Sequence, residues 1–155
     1  MINAIIIFGG YFGVLAVLSL FARPYRARLL VLGAELGAEY QEPDDQRFIL
    51  ALMSSAYSWR AAIVQTLVYL TGIFRRGDEL DRACEEYVTE KPEFARDPRV
   101  HEMLSAYFAS AVAVNPLFGI LAITAKTGFR IKARLHHRGK QVDHLSDYVG
   151  YRLTV

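Results

Sequence analysis

The chain has 155 residues, 53% of them hydrophobic and 22% charged, with a net charge of +2. The apolar share exceeds the roughly 45–50% of ordinary chains, yet the charges exclude a bundle of bare membrane spans and must lie in segments outside lipid. The small net charge argues against nucleic acid as a partner, and the single cysteine, Cys84, excludes an intrachain disulfide framework.

Residues 1–22 carry no charge, and Arg23, Arg26 and Arg28 follow. An uncharged run of this length makes a helix of about 30 Å, the thickness of a bilayer's hydrocarbon core. Basic residues stay on the cytoplasmic side, which predicts the N-terminus outside and Arg23 inside. A cleaved signal peptide is less well supported. No basic segment leads the run, and no small-x-small site precedes Arg23. Gly9 and Gly13, with Gly10 beside them, are spaced to let a second helix approach closely. Glycines merely tolerated in the helix are the plainer alternative.

Pro24 is expected to stop or bend this helix. Residues 23–45 then read as an interfacial amphipathic helix and turn, the helix over 25–40, with Leu29, Leu30, Leu32 and Leu36 against Arg26, Arg28, Glu35 and Glu39. A turn follows at Glu42-Pro43-Asp44-Asp45. Residues 46–74 read as one long helix, since proline is absent and Gly72 comes late. Its apolar residues favour insertion by about 0.3–0.6 kcal/mol each, and Arg60 opposes it by about 2.5–3.5 kcal/mol. The balance is near zero, so crossing needs neighbouring helices or snorkelling. At 100° per residue Arg47, Ser54, Ser58, Ala61, Gln65 and Gly72 share one narrow stripe, the seam of small and weakly polar residues that helices use to pack in lipid. Trp59 and Tyr57 beside Arg60 also suit a headgroup interface.

Residues 75–102 form an acidic extramembrane segment, with a helix expected over 78–88 and an irregular connector over 89–98, where Pro92 and Pro98 intervene. Residues 103–125 read as another span, uncharged between Glu102 and Lys126 and kinked at Asn115-Pro116. Asn115 is placed to bond across to a partner helix for about 1 kcal/mol or less. The tail, 126–155, begins as a basic amphipathic helix. Lys126, Arg130, Lys132 and Arg134 interleave with Phe129, Ile131 and Leu135, a pattern fit for anionic lipid headgroups. Gly139 ends that helix, and residues 148–155 look extended.

Both basic clusters on the cytoplasmic side require the 48–74 helix to cross, making three spans, with Arg75 and Arg76 left on the wrong side. A two-span hairpin is the rival, and one anchor plus a helical domain the third arrangement. Chemistry is sparse. His101, His136, His137 and His144 form no zinc or di-iron pattern. Ser54, Ser55 and Ser58 lack a nucleophile elbow, and acids around Cys84 oppose thiolate formation. Arg60 stands out, because an ionisable group within a membrane helix needs a partner. A lipid phosphate, a cofactor carboxylate or another subunit's acid would serve. An arginine snorkelling at the interface is the bland alternative.

These features predict an all-α, small integral membrane protein with two to three transmembrane helices plus amphipathic interfacial helices. The expected setting is multi-pass, in a bacterial cytoplasmic membrane with the C-terminus in the cytoplasm. The expected role is a non-enzymatic accessory or scaffolding subunit of a larger membrane complex. Its partners would be other integral membrane subunits and anionic lipids. No cofactor of its own is expected, although a lipid or hydrophobic cofactor shared with partner chains fits. The alternative is a homo-oligomeric transporter or channel-like protein with Arg60, Gln65 and Asn115 lining an inner path.

Overall fold

The computed structural model describes residues 2–74, 82, 85–86 and 88–136. The chain is all-α, with no strand among the described residues. Six labelled helices are α1 (Ile2–Glu39), α2 (Pro43–Ser55), α3 (Arg60–Phe74), α4 (Pro92–Arg96), α5 (Pro98–Val114) and α6 (Pro116–His136). Arg82, Glu85, Glu86 and residues 88–90 are also helical, which agrees with part of the 78–88 expectation. The rest of that segment, the end at Gly139 and the tail over 148–155 lie outside the described residues.

Helix α1 continues through Pro24 as one helix, where a stop or bend and a separate interfacial helix were expected. Proline costs the bond to the carbonyl of Leu20, but packing holds the helix on either side. Ala22 is buried before it, and Leu29, Leu32 and Leu36 are fully buried after it.

The predicted 46–74 helix is two helices, α2 and α3, broken over residues 56–59. Neither glycine nor proline causes the break. Side-chain hydroxyls take over the backbone instead. Ser55 donates to the Ala51 carbonyl, and Ser110 donates to the Ala56 carbonyl at 2.8 Å. The Ser58 N–H turns back to Ser55, and the Ser58 hydroxyl accepts the Arg60 N–H at 3.3 Å. Ser58 therefore caps α3. The stripe from Arg47 to Gly72 is not one continuous face, and Arg60 begins a helix where a mid-helix position was expected.

The predicted 103–125 span is likewise broken. Asn115, before Pro116, takes φ −137° and ψ 87°, the extended preference of a residue preceding proline. A sharp turn results where a kink was expected. A Cβ on Gly119 would lie 2.7 Å from the Val112 carbonyl oxygen, so glycine permits the close return of α6 over α5. The 89–98 connector contains α4, which buries Phe94 and Ala95.

Helices α1 and α5 are antiparallel: Arg26, Arg28 and Glu39 reach Ser110, Glu102 and Arg99 in reverse order. Helix α2 returns along α1, where Gly33 meets Met53. Helices α3 and α6 run side by side in the same direction, Thr66 beside Phe118 and Gly72 beside Phe129. One core cluster joins α1, α2, α4 and α5 through Leu32, Phe48, Phe94 and Met103. A second joins α3, α4 and α6 through Val68, Tyr69, Ala95 and Phe129.

The bundle thus has two ends. The Asp97 end holds residues 40–42, 91 and 97. The Arg26 end holds the 56–59 turn and Asn115. With Ser110 opposite Arg26, α5 reaches its last residue, Val114, near residue 22 of α1. Earlier residues of α1 continue past the end of α5. There Phe8, Phe12, Val17 and Phe21 are exposed, and a Cβ on Gly9, Gly10 or Gly13 would meet no other part of the described chain within 4 Å. Among the described residues no helix is long and apolar enough to cross a membrane.

Candidate functional site

Polar groups converge at both ends of the bundle, with different chemistry. At the Asp97 end, carboxylates are matched to cations. Asp97 caps α5 by accepting the Arg99 N–H at 2.8 Å. Its carboxylate also accepts the Arg99 guanidinium at 2.6 Å and the Tyr40 hydroxyl at 3.2 Å. Arg99 reaches on to Glu39 at 2.7 Å. Lys91 bridges Glu42 and the buried Asp45. Burial pushes the Asp97 carboxyl up, but the hydrogen bonds and charge of Arg99 outweigh it and hold the group below the usual carboxylate range. Burial first, then the Asp97 charge, raises the Tyr40 hydroxyl to about 12. The hydrogen bonds to Asp97 and Glu39 raise the Arg99 guanidinium further above its already high value. This end is a clamp that ties the α1–α2 loop to the start of α5.

At the Arg26 end the cations lack carboxylates among the described residues. Ser110 is fully buried. It accepts from Arg26 Nε at 3.0 Å and donates to the Ala56 carbonyl, joining α1, α5 and the 56–59 turn through one hydroxyl. The Arg26 guanidinium lies 5.1 Å from the Tyr57 ring centroid, and that of Arg60 lies 5.6 Å from the Trp59 centroid, within cation–π range. Tyr57 and Trp59 are 51% and 57% exposed. Among the described residues neither Arg23, Arg26 nor Arg60 has an ion pair. Ser110→Ala is expected to destabilise the protein by about 1–3 kcal/mol, because Ala56 and Arg26 each lose a buried partner. Chemical unfolding of the variant measures this. A change below about 0.5 kcal/mol would show that water replaces the hydroxyl.

The residues singled out from the sequence are dispersed. Ser54 is exposed, with its hydroxyl on its own helix. Gln65 is buried on α3. Gly72 faces the Phe129 ring, which a Cβ would approach to 2.7 Å. Asn115 caps α6 through Oδ1 to the Phe118 N–H at 3.4 Å. Gly9 and Gly13 remain open. Of the basic residues expected at lipid headgroups, two turn inward. Lys126 sits 4.0 Å from the Phe108 ring centroid, and Lys132 donates to the Ile73 carbonyl near the end of α3, where the helix dipole favours a cation. Arg130 is exposed, and the Arg134 side chain lies outside those described.

Sequence reasoning missed Arg26 and Ser110 as a pair. A serine amid apolar residues of α5 was the one available signal, and its partners are 84 and 54 positions away. Among the described residues, no three His, Cys, Asp or Glu side chains converge to hold a metal ion. Helices α3 and α6 also expose apolar side chains, including Val64, Leu67, Leu117 and Ile120. Comparison with protein-family models, curated proteins and solved structures finds no match to this chain.

Proposed function

We propose that this chain is a membrane-anchored, non-enzymatic accessory or scaffolding subunit of a larger membrane complex. Its anchor would be the first part of α1, and its helical body would lie at the membrane surface. The observation that carries this reading is the stretch of α1 beyond the end of α5. It is apolar and uncovered by the described chain, and it ends at Arg23 and Arg26. Exposed apolar surface on this scale marks a membrane or protein contact.

The helix breaks at 56–59 and 115 favour one crossing over three. Each interrupts a stretch that would have to span, and α6 carries Lys126, Arg130, Lys132 and Arg134 in its second half. A single anchor with the N-terminus outside also places Arg23, Arg75, Arg76 and Lys126 on the same side, which removes the conflict that three spans create. The exposed faces of α3 and α6 then supply contacts for other subunits.

Alkaline carbonate extraction of native membranes tests the anchor. The full chain is expected in the pellet, and a variant lacking residues 2–22 in the supernatant. Full-length chain in the supernatant would overturn the reading. Gentle detergent extraction followed by size exclusion tests the subunit role. Co-elution with a defined set of larger membrane proteins is expected, and a lone homo-oligomer would move the assignment to a transporter.

A further inference from the structure

We propose that the Arg26 end of the bundle is a binding surface for anionic glycerophospholipid headgroups, with Arg23, Arg26 and Arg60 meeting phosphate and Tyr57 and Trp59 seated at headgroup depth. This rests on the membrane-anchored reading above. It assigns lipid recognition to a surface assembled from α1 and the 56–59 turn, at the opposite end of the bundle from Lys132.

Charge complementarity carries the argument. No Asp or Glu occurs in residues 1–34, 46–74 or 103–136. At the Asp97 end Asp45, Glu39 and Asp97 are matched to Lys91 and Arg99, and Glu102 is matched to Arg28. Among the described residues, three guanidiniums are therefore left at the Arg26 end without a carboxylate. Arginine presents a planar fork that suits phosphate.

Position supplies the second argument. The Arg26–Ser110–Ala56 chain fixes the 56–59 turn beside α1 just where its uncharged run ends. The two half-exposed aromatic residues are thereby held at the level where α1 would enter the bilayer. Trp and Tyr prefer that depth because one edge of the ring is apolar and the other polar. The basic groups of α6 lack this continuity. Lys126 and Lys132 are directed to aromatic rings and to α3 carbonyls, and Lys132 meets α3 near its far end, away from the 56–59 turn.

Trp59 is the only tryptophan, so its fluorescence reports this surface alone. The full chain is reconstituted in vesicles of phosphatidylcholine mixed with phosphatidylglycerol, with one or the other lipid brominated on its acyl chains. Brominated phosphatidylglycerol is expected to quench Trp59 more strongly than brominated phosphatidylcholine at the same mole fraction. High salt should erase the difference. Each arginine at an anionic surface is worth about a fivefold preference, so Arg23→Gln with Arg60→Gln should lower the preference by about 25-fold. Both residues are exposed, and the salt series on the unaltered chain decides the matter if the double variant misfolds.

Equal quenching by the two lipids, with the chain still floating with vesicles, would overturn the proposal and leave the anchor intact. An acidic protein partner on this surface predicts that same result. A chain that neither floats nor is quenched would overturn both the proposal and the membrane-anchored reading.

Discussion

Phe94→Ala is expected to lower stability by about 3–5 kcal/mol, the range for truncating a fully buried phenylalanine. The ring is 2% exposed. It meets the Tyr40 ring edge-on at 4.9 Å and the Phe48 ring at 5.8 Å. The five residues of α4 cannot hold a helix alone, since one turn does not repay its own nucleation. Phe94 pins this segment to the core, and the segment in turn presents Ala95 to the second cluster. Loss of the ring should therefore loosen residues 91–97 together, including the Lys91 contact with Asp45. Urea unfolding measures the total. Hydrogen exchange over 91–100 measures how far the loosening spreads. Phe94→Leu, which keeps most of the volume, should cost well under half as much. A loss below about 1 kcal/mol for alanine would mean that α4 is held by something other than this ring.

Asp97→Ala should rank next, at about 2–4 kcal/mol. Losing the helix cap costs about 1 kcal/mol, and leaving the Tyr40 hydroxyl without its acceptor adds about 1–3 kcal/mol. The pH dependence separates these contributions from simple packing. Asp97 titrates below the ordinary carboxylate value of about 3.9. Its contribution is complete above about pH 5 and disappears as pH falls through 4 and below, because the unfolded chain takes up the proton first. Tyr40 is shifted the other way, from the ordinary value of about 10 to about 12. Its contribution is complete below about pH 9 and disappears as pH rises toward 12, because the unfolded chain loses the proton first. Thermal unfolding across pH should therefore show Asp97→Asn converging on the parent protein in acid. Tyr40→Phe should lose less stability than the parent protein between about pH 10 and 12. A pH-independent gap for Asp97→Asn would indicate that the carboxylate is not held by Arg99 in solution.

Part of this architecture is legible in the residues themselves. Helical periodicity and the uncharged run of 1–22 depend on local properties, and both carry over into the helices observed. The Asn115-Pro116 break is local too, since proline removes a donor and restrains the residue before it. What the pair could not reveal is the angle of the break. That depends on Gly119 admitting the Val112 carbonyl from another helix.

Other features depended on partners far along the chain. Ser55 and Ser58 lie within 46–74, but they do not place a break at 56–59 by themselves, because the hydroxyl that takes the Ala56 carbonyl belongs to Ser110. Pro24 reads as a stop or bend, and the burial of Ala22 before it and of Leu29, Leu32 and Leu36 after it explains why α1 continues. Lys126 and Lys132 read as lipid-facing, since a basic amphipathic pattern records which residues share a helix face and not what lies opposite it. In the fold, Phe108 and the end of α3 lie opposite that face. The sequence by itself determined the helical class, the apolar start of α1 and the acid-free segments, because these follow from residue type and spacing. Tertiary structure decided that α1 continues past Pro24, that the 46–74 segment breaks at 56–59, and which cations among the described residues stay without an ion pair, because a backbone carbonyl or a guanidinium takes whichever partner the packed chain brings within about 3 Å.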